Sequence, residues 1–518
     1  MFLRYMKIFP PLALLVGVII FSSGCSTVID AHQQKSSTTN EFYDNKFDAA
    51  ARSFGSKADS RSGTGDELMW LLEQGTAEFD AGHSKQSLKA FDRAVYLVNE
   101  YDSRATVNVR KIGAEAGSVV TNMNALPYSG SILDRQMLYA YRAFDYLGME
   151  DLSGALVEIR RMRQAHKDSK KVYEEKLDKA RSDIETARRQ NSKDAAKLQN
   201  QQGTDLTFEE LLENAKVKSA YQSASTNSNK LYAKLTNPFI AYLSAVGYFL
   251  EGNWGEAMVD LRELYRMEPD SPLVQRNYVT TATAIGGSVP MKLTEVRPYR
   301  FPLDRKVIYV IFMNGRGPSY KQVKFSLVLP WVSYIGFAFP SGIYSKPRWD
   351  NLQLQFKQHG GMNGVKTTRI ADVNAVFAQE YHENLPYMIT RIAVSTLTKA
   401  LANAVAVEAA RRKGVGYEIA AYFATGFYAY LFNTADTRCW EMLPAEVQAA
   451  QLAIPEDRGL SLSSSDFRGG GKLFLRKNGK VIKSAKRLNI KLKNDTNVAF
   501  IFARGVPAGV NIQVFEIK

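Results

Sequence analysis

Cysteine is scarce in this chain of 518 residues, which has one at position 25 and one at position 439. Cys25 ends an apolar N-terminal segment, where we expect it to be modified for the reasons given below. Cys439 then has no cysteine partner within the chain. An internal disulfide is therefore excluded, and the core has to be held by packing alone, even in an oxidising compartment.

Motifs of the common catalytic classes are also missing. The chain has no HExxH zinc motif, no pair of CxxC motifs, no phosphate-binding loop and no nucleophile elbow. The glycine-rich stretch at residues 360–364 is interpreted as a turn. Glu380, His382 and Cys439 would need to meet in space beside an orienting group to act together, so we favour a buried Cys439 and a surface His382. We predict no catalytic residue, no cofactor and no metal site.

Apolar runs long enough to cross a membrane are absent as well. The run at residues 12–21 follows Arg4 and Lys7 and is too short for a spanning helix, so residues 1–25 are predicted to be a signal peptide. The run at residues 419–432 also falls short of the roughly 20 residues that a spanning helix needs, so we favour a buried helix there over a membrane span.

The signal segment ends in Ser-Ser-Gly-Cys, which resembles a bacterial lipobox with Gly24 and Cys25 where cleavage and lipidation require them. We predict lipidation of Cys25; the alternative is a plain secretory signal with an incidental cysteine. Ser26 resembles the sorting signal for the outer membrane, which implies a lipid-anchored protein on its periplasmic face. Residues 26–65 are polar and rich in Ser, Thr and Gly, and predict a flexible tether, with a partner-docking segment as the alternative.

Positive charge is concentrated in the second half of the chain. The net charge is +15, and residues 296–518 alone have 31 Lys and Arg against 15 Asp and Glu. No acid occurs between residues 472 and 493, and we predict that an anionic partner binds there, to Lys472, Arg476, Lys477, Lys480, Lys483, Lys486 and Arg487, with Lys491 and Lys493 beside them. The alternative is that these lysines protect exposed strand edges from aggregation. In the predicted compartment the partner would be a lipid, an envelope polymer or an acidic protein, and not nucleic acid.

Residues 239–270 have the spacing of a tetratricopeptide (TPR) unit, with a small residue and an aromatic one in the first helix and a small and a bulky one in the second. Ala245 and Tyr248 form the first pair, and Ala257 and Leu261 form the second. Residues 66–98 and 134–162 show the same pattern at Gly75, Ser87, Phe91, Ala143, Tyr146 and Ala155. A weaker unit fits between them. We therefore predict a TPR-like α-solenoid over residues 66–290.

A charged segment at residues 164–204 interrupts these repeats. Its apolar residues recur at steps of four and three, which predicts either one arm of a coiled-coil hairpin, with a return arm that begins at residues 205–210, or a solvated projecting helix. After residue 290, β-branched and aromatic runs alternate with turn signals, and residues 371–413 have a helical pattern. Residues 472–484 are predicted to form a β-hairpin that turns at Asn478-Gly479. The predicted fold class is multidomain: an all-α TPR-like solenoid with a charged helical insertion, followed by a basic α+β domain over residues 291–518.

The lipobox, residues 125–161 and residues 435–452 together resemble a family of TPR-containing periplasmic lipoproteins of Gram-negative bacteria. That family has no established activity, and its members are often encoded near a small lipoprotein similar to the activators of penicillin-binding proteins. Similar sequences often have Ser where this chain has Cys439. The resemblance therefore implies a role in the cell envelope and no thiol chemistry.

These features predict a non-enzymatic outer-membrane lipoprotein that acts as a TPR scaffold in envelope assembly, with peptidoglycan synthesis as one setting. A protein partner would bind in the groove of the TPR array, and an anionic polymer or lipid would bind the basic domain. Two alternatives stay open. One is a structural subunit of an envelope-spanning secretion or motility machine, and the other is an enzyme that processes an envelope polymer.

Overall fold

The computed structural model describes residues 31–108, 127–202, 232, 236–329, 332–358, 360–418, 421, 434–465 and 471–518. The described helices are α1 Ala31–Tyr43, α2 Phe47–Ser60, α3 Glu67–Ala81, α4 Ser84–Asn108, α5 Ile132–Gly148, α6 Leu152–Gln202, α7 Pro238–Leu250, α8 Trp254–Met267, α9 Pro272–Ala284 and α10 Val373–Arg411.

The described strands all lie after residue 306. They are β1 Val307–Asn314, β2 Ser319–Leu329, β3 Val332–Ile343, β4 Asn351–Gln358, β5 Gly361–Lys366, β6 Thr368–Asp372, β7 Glu446–Ala453, β8 Gly459–Ser465, β9 Leu473–Lys477, β10 Lys480–Ala485, β11 Arg487–Lys491, β12 Val498–Val506 and β13 Gly509–Ile517. The predicted order, helices first and a mixed α+β part after them, is confirmed.

Consecutive helices joined by short connections pack against each other, as α3 does with α4, α5 with α6 and α7 with α8. Local sequence explains where these helices start and end. The Ser131 side chain accepts a hydrogen bond from the Asp134 amide at the start of α5, in a capping box. Gly82 ends α3 at a φ of 85°, which a residue without a Cβ adopts freely.

Three sheets form the second half. The main sheet has seven strands in the order β10-β9-β13-β12-β1-β7-β6, and a second sheet has the order β11-β8-β4-β5. Among the described strands, β2 and β3 pair only with each other. β1 pairs in parallel with β12 and antiparallel with β7, so the main sheet is mixed.

The core has three layers, and alternate residues of β1 face its two sides. Ile308 and Val310 pack with residues of β4 and β8 in one apolar cluster. Tyr309 and Ile311 belong to the other cluster, which includes helices from both ends of the first half. The seven-stranded sheet is thus covered by helices on one face and by the four-stranded sheet on the other, which is why every residue of β1 is buried.

The helices and the main sheet share one core. The Phe79 ring of α3 meets the Phe502 ring of β12 edge-on at 4.6 Å, and the Phe144 ring of α5 lies 5.3 Å from the same ring. The predicted boundary near residue 290 is therefore a change of secondary structure within a continuous apolar core.

The predicted flexible tether is wrong for the described residues 31–65. They contain α1 and α2, and Phe42, Phe47 and Phe54 have no exposed surface. This polar segment also contains apolar residues at helical spacing. The free energy gained by burying the rings of Phe42, Phe47 and Phe54 outweighs the conformational entropy that the chain loses on folding. Residues 1–30, which include the predicted signal peptide, Cys25 and the first residues of the predicted tether, lie outside the described residues.

The charged insertion is helical as predicted, but it is not a separate element. α6 is a single helix of 51 residues that begins inside the third predicted TPR-like unit and continues through the described part of the insertion. The return arm and residues 109–126 of the weak unit lie outside the described residues, as does the apolar run at 419–432 apart from Ala421. The glycine-rich stretch at 360–364, predicted as a turn, mostly forms β5, which pairs with β4.

Candidate functional site

The strongest candidate for a binding site is a positively charged surface that follows two sheet edges. β10 is an edge strand of the seven-stranded sheet, and β11 is an edge strand of the four-stranded sheet. β11 also contacts β9 and β10, so the two edges adjoin. We call the surface formed by β10, β11 and the β9–β10 turn the basic edge.

The β9–β10 hairpin turns at Asn478 and Gly479, as predicted, with φ values of 48° and 75°. Two residues with positive φ are typical of the tight turn that matches the twist of a hairpin. The turn rests on the connection between α3 and α4, where a Cβ on Gly82 would lie 3.0 Å from the Gly479 amide nitrogen. The hairpin is therefore fixed against the helical layer.

Cations dominate the exposed side chains of the basic edge. The exposed cations of this surface are Lys477, Lys480, Lys483, Lys486, Arg487 and Lys491. Within the described part of the chain, none of these side chains has an ion-pair partner. Each unpaired cation adds to a field that attracts anions, and the sum is screened over about 8 Å at physiological ionic strength.

Three predicted cations behave differently. Arg476 is buried, and its Nη1 lies 3.0 Å from the Asp48 carboxylate of α2. The prediction that Arg476 binds a partner is therefore wrong, because this guanidinium holds α2 to the sheet. Lys472 lies over the Phe474 ring at 5.4 Å, and the Lys493 ammonium pairs with Glu150 at 3.1 Å. Lys472 stays exposed and available.

Two apolar side chains lie among these cations. Val481 and Ile482 of β10 are 44% and 57% exposed. Lysines that protect an edge strand also flank exposed apolar residues, so Val481 and Ile482 are compatible with both interpretations, a protected edge and a surface that associates with a partner. The ladder also shifts register between Val481 and Lys483. The basic edge thus combines charge with apolar surface.

The predicted TPR packing residues are core residues. A Cβ on Gly75 would overlap the Phe91 ring, and the Ser87 hydroxyl donates to the Asp145 carboxylate at 2.8 Å. The Tyr146 ring lies where a Cβ on Gly154 would be. Tyr248 is partly exposed and lies under the Arg163 guanidinium. The other predicted packing residues are buried: Ala143, Ala155, Ala245, Ala257 and Leu261.

The helical surface that faces the sheet is covered by the chain itself. The Tyr141 hydroxyl of α5 donates to the Met313 sulfur of β1 at 3.3 Å, and the Gln451 amide of β7 donates to the Tyr242 hydroxyl of α7 at 3.2 Å. The Trp440 indole also donates to the Thr76 hydroxyl at 2.9 Å. Along α3, α5 and α7 there is consequently no open groove on this side for a protein partner.

A buried ionic cluster, which sequence reasoning missed, joins α1 to α3 and to residues 435–445. The Lys35 ammonium lies 2.9 Å from Glu73 and 3.0 Å from Glu441, and the His32 ring lies 3.0 Å from Glu441. Burial opposes the charge on Lys35, but the carboxylates of Glu441 and Glu73 raise its pKa above the usual range. Burial raises the pKa of Glu73 despite Lys35. The cluster fastens the N-terminal helix to the core.

The residues considered for catalysis have structural contacts. Burial raises the pKa of the Cys439 thiol well above its usual range, although Lys35 opposes this. The Glu380 carboxylate accepts hydrogen bonds from the Ile132 and Leu133 amides at 2.8 and 3.1 Å and so caps the start of α5. Within the described ranges, no three His, Cys, Asp or Glu side chains are grouped to hold a metal ion.

Among the helices that the structure describes, none combines the length and the apolarity needed to cross a membrane. Comparison with protein-family models, with curated proteins and with solved structures found no match to this chain. Its function therefore has to be inferred from the geometry of the chain.

Proposed function

We propose that the protein is a non-enzymatic adaptor, lipid-anchored to the periplasmic face of the outer membrane, that holds an anionic envelope polymer on its basic edge. The observation that supports this most directly is the row of exposed cations on β10 and β11 that lack ion-pair partners among the described residues. A surface with repeated charges over two adjoining edges suits a ligand with repeated charges. A polymer such as peptidoglycan, with regularly spaced carboxylates, has this property.

The helical layer is proposed to be a TPR-like array that supports this surface. The contact between Gly75 and Phe91 and the burial of Ala143, Ala155 and Ala257 support that assignment, because TPR helices approach closely at small residues. The sheet covers the array where α3, α5 and α7 face it. We therefore place the partner on the basic edge and not in the groove first predicted.

The test is cosedimentation of the full-length protein with purified peptidoglycan sacculi. We expect binding that weakens as salt is raised, because the attraction is screened. The variant Lys480→Glu, Lys483→Glu, Lys486→Glu should lose at least tenfold in affinity. The matched control Lys346→Glu, Lys357→Glu, Lys366→Glu changes net charge equally at exposed positions outside the basic edge and should bind normally.

Equal losses in the two variants would show that only net charge matters and would refute a specific edge. If the first variant loses binding to anionic vesicles but keeps its binding to sacculi, the basic edge binds lipid headgroups instead. Retention of full affinity by the first variant would remove the basic edge from the proposal.

A second candidate function, a structural subunit of a larger envelope assembly, is favoured by one observation. α6 extends for 51 residues, about 76 Å at about 1.5 Å per residue, which is far longer than its partners in the helical layer. Mass measurement of the particle extracted in mild detergent separates the two, because an assembly subunit would appear as a ring or a large complex.

A further inference from the structure

Two long helices, α6 and α10, and the β2–β3 hairpin contact one another in one region of the protein. The Tyr381 hydroxyl of α10 donates to the Pro340 carbonyl of β3 at 2.8 Å, and Pro340 pairs with Gln322 of β2. The Tyr173 hydroxyl of α6 donates to the Glu383 carbonyl of α10 at 2.8 Å. We call the described residues of the hairpin beyond Gln322, of α10 beyond Tyr381 and of α6 beyond Tyr173 the arm.

The arm is long. From Gln322 the hairpin continues for seven residues to the end of β2, or about 24 Å at about 3.4 Å per residue. α10 continues from Tyr381 to Arg411, about 45 Å at about 1.5 Å per residue, and α6 continues from Tyr173 for about 44 Å.

The N-terminal end of α1 lies on the side of the arm. At the end of α1, the Tyr43 hydroxyl accepts from the backbone just before β2 at 3.3 Å. At its start, the Ala31 amide donates to the Thr437 hydroxyl at 3.1 Å, and nearby the Ala435 amide donates to the Gln322 side chain at 2.6 Å. α1 therefore runs back along β2, and its first residue, Ala31, lies near the base of the arm.

The short connection to the lipid then limits where the membrane is. Cys25 and Ala31 are six residues apart, which span about 20 Å at most when fully extended. A lipid on Cys25 thus brings the bilayer within about that distance of Ala31, while the arm reaches more than twice as far. An arm pointing straight at the membrane would carry α6 into hydrocarbon, and residues 174–202 include thirteen charged residues. An arm that lies along the bilayer satisfies both conditions, the short connection and the charge of α6.

The composition of the arm suits that orientation. Residues 325–339 of the hairpin contain no charged residue, and residues 384–407 of α10 contain only Arg391 and Lys399. After α10, Val415 is 70% exposed and Tyr417 is 50% exposed, next to the cations at residues 411–413. Exposed aliphatic and aromatic side chains beside cations are typical of surfaces that bind anionic lipid headgroups.

We propose that the arm is a membrane-docking element, which lies on the bilayer that carries the lipid anchor with α10 and the hairpin toward lipid and α6 toward water. The proposal rests on the lipid anchor of the proposed function and adds a second membrane contact. α10 follows β6, the edge strand at the opposite end of the main sheet from β10. Six strand spacings of about 4.8 Å place β6 about 29 Å from β10, so the arm starts from the edge opposite the basic edge and bilayer and polymer can be bound together.

The test uses residues 26–518, which lack the signal peptide and the lipid site but keep every described residue, with vesicles of phosphatidylethanolamine and phosphatidylglycerol. A fluorophore attached at Val415→Cys is expected to shift to the blue and to be quenched by nitroxide-labelled lipid. The same label at Met362→Cys on β5, 64% exposed, should not respond. Cys439 is buried and does not compete for the label.

Val415→Asp with Tyr417→Asp is expected to reduce vesicle binding at least tenfold, whereas Met362→Asp leaves it unchanged. These side chains are exposed, so folding is retained. If vesicle binding is lost only when Lys480, Lys483 and Lys486 are replaced by Glu, the basic edge is the membrane contact and the arm proposal is overturned.

The lipidated full chain in vesicles separates this proposal from the function on which it rests. An unresponsive label at position 415 in anchored protein would overturn the arm proposal and leave the anchor standing. A responsive label in the unlipidated chain, together with no lipid found on Cys25 in cells, would overturn the anchor and support membrane docking by the arm.

Discussion

At the scale of single residues, the N-terminal helix is held by charges that are removed from water. Lys35 has no exposed surface, and the Glu73 carboxylate beside it also accepts hydrogen bonds from the Glu441 and Met442 amides at 2.8 and 3.1 Å. Taking these groups out of water is costly unless each charge keeps its partner. Residues 31–65 therefore depend on a contact more than 400 residues away along the chain.

Lys35→Met is expected to destabilise the protein by about 3–5 kcal/mol, because it leaves two buried carboxylates without their cation. Lys57→Met, at an exposed position of α2, is the matched control and should change the free energy of unfolding by less than about 0.5 kcal/mol. Denaturant unfolding measures both. Equal midpoints for the two variants would mean that α1 is not part of the cooperative core, as the tether prediction held.

Asp80 provides a pH test. Burial raises the pKa of Asp80 to about 7, against the opposing effects of Arg504 and Arg476. An acid with a raised pKa in the folded state stabilises the fold at low pH, and this contribution is lost as pH rises from about 4 to about 7. Asp80→Asn imitates the protonated form, so its stability relative to the unchanged protein should increase over that range and then level off.

Unfolding midpoints of the two proteins at intervals between pH 4 and pH 8 check this. A difference that stays constant across the range would show that Asp80 is ionised throughout, held by Arg504, whose Nε lies 3.9 Å from its carboxylate.

At the scale of elements, close helix contact depends on residues without side chains. Gly75 of α3 lies against the Phe91 ring of α4, and Gly247 of α7 lies against Ile159 of α6. Helix pairs at such positions cannot move apart without losing contacts on both sides, since the same helices also pack on the sheet. Gly75 is also one of the small residues that give the sequence its TPR-like spacing.

Gly75→Ala is expected to destabilise the protein by about 1–3 kcal/mol, because the added Cβ overlaps the Phe91 ring. Gly255→Ala in α8 is the control: its Cβ meets no atom closer than 4.0 Å, so the better helix propensity of Ala should stabilise by up to about 1 kcal/mol. Thermal unfolding distinguishes them. A neutral Gly75→Ala would indicate that α3 and α4 are less closely packed than described.

At the scale of the whole molecule, the helical half and the sheet half complete each other. Tyr141 and Phe144 of α5 contact Met313 and Phe502 of the main sheet. The opposite face of that sheet packs against β4 and β8. Neither half can bury its apolar face alone. A partner consequently meets the outer edges of the protein and not the surface between its layers.

The fragment 66–290 should therefore fail to fold on its own, although its helices have the TPR-like pattern. We expect increased binding of a hydrophobic dye and poorly dispersed amide signals in the fragment, against cooperative unfolding of the full chain. A fragment that unfolds cooperatively and has dispersed amide signals would show that the helices form an independent solenoid. The groove of the TPR-like array would then again be a candidate site for a protein partner.

The sequence by itself determined the elements whose evidence is local. The helix pairs around Ala143 and Ala257, the β9–β10 hairpin with its turn at Asn478 and the charged helix after Arg160 all follow from spacing and turn chemistry. The run of cations after residue 471 was also visible, because charge needs no fold to be counted.

Only the tertiary structure decided which of these residues are available. It buried Arg476 against Asp48, placed Lys35 between two carboxylates and covered the helical layer with the sheet. Burial of a residue depends on which other parts of the chain pack against it, and these are often hundreds of positions away. Local composition does not contain that information. For the same reason, the basic edge and the arm were recognised as opposite sides of one molecule only after the strand order was known.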